Sequence, residues 1–124
     1  MRAAAIIVGI LMASMSSHVV AETSWILVGK NRVFIVQVDT SRIKKTGNIV
    51  RYWIKTTVTD VKDDTDYFVS IEETDCLEEK TRSIQTTAYY KSGKQSLTVQ
   101  GENGWTFVTP DTMGETIIKF TCSK

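Results

Sequence analysis

The chain has one histidine, His18, one proline, Pro110, and two cysteines, Cys76 and Cys122, in 124 residues. Beyond residue 18 there is no imidazole, which excludes Ser-His and Cys-His nucleophilic sites, histidine general bases and nearly every transition-metal site built on histidine. The patterns GxxxxGK[ST], GxGxxG and GxSxG are missing, and so is any Asn-x-Ser/Thr acceptor. Neither sign of charge dominates, with 15 Lys and Arg against 14 Asp and Glu. Net charge therefore points to no partner, and nucleic acid is a poor candidate. With no low-complexity linker and no internal repeat, one domain is expected.

Long apolar runs are also missing, except at the start. Arg2 precedes "AAAIIVGILMASM", and a polar stretch ends in "VVA" at residues 19–21. That is the layout of a secretory signal peptide cleaved after Ala21. The run falls short of the ~20 apolar residues that cross a bilayer, and no cysteine near the cleavage point supports a lipid anchor. Residues 22–124 are then the exported domain, in the periplasm or on the surface of a Gram-negative cell, and the loss of Arg2 and His18 balances its charges. Two cysteines in an oxidising compartment pair as Cys76–Cys122, with two free thiols as the minor alternative.

Segments rich in Val, Ile, Thr, Tyr, Phe and Trp alternate with Gly, Asn and Asp, which is strand and turn punctuation. Strands are expected at residues 24–28, 32–38, 49–59, 67–76, 82–90, 96–100 and 105–108. Turns separate them at 29–31, 60–66, 91–94 and 101–104, and a loop with one helical turn spans 39–48. The tail changes period. Pro110, Asp111, Thr112 and Glu115 form a helix start with a Thr-x-x-Glu capping box, and Met113, Ile117 and Phe120 fall on one helical face. The expectation is an α+β domain: a single antiparallel sheet of about six strands in a meander, one C-terminal helix packed on it, and a disulfide fastening the two.

Several landmarks arrive in order: Trp25 with "LVG" and Asn31, "VDTSRI" at 38–43, "GNIVRYW" at 47–53, "DC" at 75–76, Tyr89-Tyr90 followed by Gly93, then Trp105, Val108, Pro110, Glu115 and Cys122. In these the chain resembles the surface-adhesin protein E family of small exported bacterial proteins. The resemblance implies a small antiparallel sheet with a terminal helix and a non-enzymatic role in binding host extracellular-matrix and plasma proteins. The acidic stretch 60–66 departs from the family pattern, and no adhesive motif transfers residue by residue.

The charges are polarised along the chain. Nine acids lie between Asp60 and Glu79, and Asp64 and Asp66 have the spacing of a calcium loop. No glycine and no bidentate Glu follow at the right distance, so these are solvated turn charges and no metal or other cofactor is expected. Arg42, Lys44, Lys45, Arg51 and Lys55 form a run of cations between Asp39 and Asp60, and Trp53 sits among them. Arg51, Trp53 and Lys55 share one strand face, while Val50, Tyr52 and Ile54 share the other. One arrangement lays Trp53 under the terminal helix and lets the two cationic stems reach past it to water; it is favoured because the helix must cover some face of this strand. The other makes Arg42, Lys44, Lys45, Arg51, Trp53 and Lys55 a binding surface for an acidic protein segment or polysaccharide. A periplasmic inhibitor or accessory subunit docking on an enzyme is the alternative function, and exposed edge strands leave self-association open. Mass spectrometry of the exported protein is expected to find Glu22 at the N-terminus; a chain retaining residues 1–21 would contradict the signal peptide.

Overall fold

The computed structural model describes residues 24–124, so the expected signal peptide lies outside the described residues. Its elements are β1 (Trp25–Lys30), β2 (Phe34–Asp39), a 3-10 turn (Thr40–Arg42), β3 (Lys44–Thr46), β4 (Ile49–Val58), β5 (Thr65–Asp75), β6 (Lys80–Tyr90), β7 (Leu97–Gln100), β8 (Thr106–Phe107) and α1 (Met113–Cys122). The strands form one antiparallel sheet in the order β1-β2-β4-β5-β6-β7, with β3 beside β4 and β8 beside β6. The α+β architecture is as expected from the sequence, but the described residues hold eight strands rather than about six.

The differences have local causes. Residues 39–48 are not one loop: Gly47 takes φ +60°, and the turn it makes folds Lys44–Thr46 back onto the start of β4 as β3. Gly29 and Lys30 continue β1 through a register shift after Leu27 rather than turning. The turn comes later, because the Asn31 side-chain oxygen accepts hydrogen bonds from the Val33 and Phe34 backbone N–H at 2.9 and 2.8 Å.

Two strands of the sheet change partner along one edge. β4 carries β2 opposite residues 54–58 and β3 opposite residues 49–51. β6 carries β7 opposite residues 85–88 and β8 opposite residues 80–81.

Val36, Val38, Val50, Tyr52 and Ile54 are buried together, and Met113, Ile117 and Phe120 of α1 pack against them. A fully buried Val or Ile of this cluster contributes roughly 1.5–3 kcal/mol by leaving water, and the half-buried helix side chains contribute part of that. Thr112 caps the helix, its hydroxyl accepting from Glu115 N–H at 3.4 Å. Gly29 lets the helix come close, since a Cβ there would stand 2.5 Å from Met113 Sδ.

The helix therefore covers the Val50-Tyr52-Ile54 face, and the expectation that Trp53 lies beneath it is overturned. Covering the other face would desolvate two cationic heads. This face asks only that one phenol be satisfied, and Tyr52 Oη lies 3.0 Å from Thr74 Oγ1.

Cys76, just past β5, is bonded to Cys122 at the end of α1, closing a sequence separation of 46 residues. The chain-entropy model assigns such a loop about 4 kcal/mol. Replacing both cysteines with alanine is expected to lower the unfolding free energy by about that amount in denaturant titrations, and a loss below about 1 kcal/mol would contradict this role.

Candidate functional site

With α1 on one face, the opposite face of the sheet is left open. Trp53 and Ile71 are cross-strand partners on that face and are both half-buried. The 3-10 turn and β3 rise beside them and enclose a groove of about 430 Å³, walled by Arg42, Ile43, Lys44 and Arg51. A second hollow of about 280 Å³, between Lys44, Ile49, Arg51 and Glu73, continues it.

The cations are held to different degrees. Arg42 Nε reaches Asp39 Oδ2 at 3.5 Å, and Asp39 is itself fixed by the Ser41 N–H and hydroxyl at 3.0 and 2.6 Å. Glu73 is only 7 % exposed and serves two arginines through one oxygen. Arg82 donates to Oε1 through Nε and Nη2 at 3.2 and 2.9 Å, while Arg51 Nη2 stands off at 3.6 Å. The carboxylate is thus committed to Arg82, and Arg51 keeps donors free on the groove side. Lys44 forms no ion pair among the described residues.

The structure brings Arg42, Lys44, Arg51 and Trp53 to one groove. Lys55 shares their face but lies outside the groove, with Nζ 4.4 Å from the centre of the Tyr67 ring, which stacks on Tyr89 at 4.6 Å. Lys45 points the other way: strand alternation sends it to the helix face, where Nζ donates to Cys122 O at 3.5 Å, at the negative end of α1. The parts missed from sequence are Glu73 and Arg82. The short turn between β5 and β6 sets them directly opposite each other, so the register of that hairpin was the available signal.

The surface-adhesin protein E family model matches residues 25–123. The chain belongs to that family. Among solved structures, it matches protein E of Haemophilus influenzae with a TM-score of 0.59 at 16% identity, covering 82% of this chain and 86% of that one. The selenomethionine form of that protein matches with a TM-score of 0.59 at 15% identity over 82% and 88% of the two chains. At these identities the likeness carries the fold alone. No curated protein matches the chain.

Membership in the family points to a non-enzymatic, exported surface protein. Among the described residues of this member no helix is long and apolar enough to cross a membrane, and no group of three or more His, Cys, Asp or Glu is placed to hold a metal ion.

The groups with displaced titration lie on the helix face. Burial pushes the Tyr52 phenol well above its usual range, and the charge of neighbouring Glu72 adds to this. Burial likewise raises the Glu72 carboxyl above its ordinary 4.5, against a smaller lowering by the 3.4 Å hydrogen bond from Tyr52 Oη. Because the folded state holds the Glu72 proton more tightly than the unfolded chain, ionisation of Glu72 destabilises the fold. That penalty is absent below 4.5, where both states are protonated, grows as pH rises from 4.5 to the raised value because the unfolded chain ionises first, and is complete above it. Glu72→Gln is expected to be more stable than the parent at pH 7, with the advantage disappearing as pH falls below 4.5. An advantage constant in pH, read from thermal midpoints, would contradict it.

Proposed function

We propose that residues 22–124, released by cleavage after Ala21, act as an adhesin-like binding module that engages host extracellular-matrix or plasma proteins through the open sheet face. The observation that carries this reading is the groove in which Trp53 is floored beside Ile71 and rimmed by Arg42, Lys44 and Arg51. Aromatic area next to incompletely paired cations is the composition of an interface anchor. Its charge suits an acidic segment of the partner, which the cations would steer in solution and the indole would hold once docked. Family membership supports an exported surface role, and the open face supplies a place for contact.

The two lysines of β3 provide an internal control, because they are adjacent in sequence and on opposite faces of the sheet. In titrations of immobilised laminin and vitronectin, Arg42→Glu with Lys44→Glu is expected to weaken binding by at least about tenfold, and raising salt to weaken the parent in the same direction. Lys45→Glu is expected to leave affinity unchanged. Equal losses from the two charge reversals, or no binding by the parent at either salt, would overturn the proposal.

A further inference from the structure

A separate hollow of about 360 Å³ opens at the outer edge of β6. It lies where the edge changes partner: residues 85–88 pair with β7 and residues 80–81 with β8, so residues 82–84 have no strand on that outer side. The register between β5 and β6 also slips here, after Ile71, leaving Ile84 as the extra residue of a bulge. Bulges of this kind bend the strand and re-aim its side chains.

The segment 101–105 seals one side of the gap. Gly101 N–H donates to Ile84 O at 2.8 Å, and the approach is so close that a Cβ on Gly101 would stand 1.8 Å from Ser83 O. Only glycine fits there. Trp105 follows, its ring centre 4.6 Å from the Arg82 guanidinium and 5.5 Å from Lys80 Nζ. Arg82 is in turn anchored on Glu73, so the indole is held by a chain of charged contacts rather than by loose packing. Glu72, Glu102, Thr81, Ser83 and Thr106 complete the lining. Among the described residues neither Glu72 nor Glu102 has a cationic partner.

We propose that this cleft is a saccharide subsite that takes one or two uncharged sugar residues. Sugar hydroxyls donate to carboxylates and exchange hydrogen bonds with the Thr and Ser hydroxyls, while the C–H face of the ring lies on an indole. Other ligand classes fit less well. Two carboxyls oppose an anion, and the Arg82 guanidinium already lies over one face of the Trp105 ring, which leaves less of the indole for an ammonium group. The polar lining also disfavours an apolar ligand. The volume is within the range of small-molecule sites.

The test is a ¹H–¹⁵N NMR titration of the exported protein with lactose, maltose and chitobiose. Saturable shifts of the Trp105 indole N–H and of the Ser83 and Gly101 amides are expected for at least one sugar, with a Kd on the order of 1 mM. Trp105→Ala and Glu102→Gln are each expected to weaken binding by about fivefold or more. Glu102 is exposed, so its variant decides the matter even if loss of Trp105 prevents folding. No saturable Trp105 shift from any of the three sugars at about 50 mM, or an affinity unchanged by Glu102→Gln, would overturn the proposal.

Discussion

The fold turns on which face of β4 is buried. Val50, Tyr52 and Ile54 are buried beneath α1, and the same alternation that hides them turns Arg51, Trp53 and Lys55 outward. A slip of one residue in this strand would exchange the two sets and bury two cationic heads under an apolar helix. The remaining devices hold the helix to that choice. The disulfide pins its C-terminus beside the end of β5, Lys45 meets its last turn, and Gly29 lets Met113 settle against β1.

Glu73 has the corresponding part on the open face. A buried carboxylate is costly unless it is paired, and here one oxygen draws Arg82 close and Arg51 more loosely. Arg82 lies against Trp105, and Arg51 stands next to Trp53 along β4, so one carboxylate orders the cationic neighbours of two tryptophans. Each tryptophan sits where a strand edge changes partner, at the 3-10 turn in one case and at the β6 bulge in the other. Interruptions of the ladder are where a sheet departs from a flat surface, and both hollows lie at such interruptions.

Much of this was legible in the sequence. The strand alternation, the Thr112 and Glu115 helix start, the helical spacing of Met113, Ile117 and Phe120 and the cysteine pair all follow from local periodicity and chemistry. The face chosen by the helix differs from the expected one, although Val50, Tyr52 and Ile54 set against two cationic stems favour the face actually buried. β3 is not legible in the sequence, because "KKT" has no apolar alternation and is held by the turn at Gly47 and by pairing with β4. Of the candidate site, Arg42, Lys44, Arg51 and Trp53 converge, but Lys45 does not, since a run of charges in sequence says nothing about alternation until the strand is known. Glu73 and Arg82 depend on the register of a hairpin, a long-range property that composition does not carry.

Lysine acetylation footprinting of the exported protein, free and bound to laminin or vitronectin and read by mass spectrometry at each lysine, tests directly which face meets a partner. Binding is expected to slow modification of Lys44, on the groove, and to leave Lys45 and Lys119, on the helix side, unchanged. Protection of Lys45 and Lys119 with Lys44 still reactive would place the partner on the helix face and rule out contact through the open sheet face.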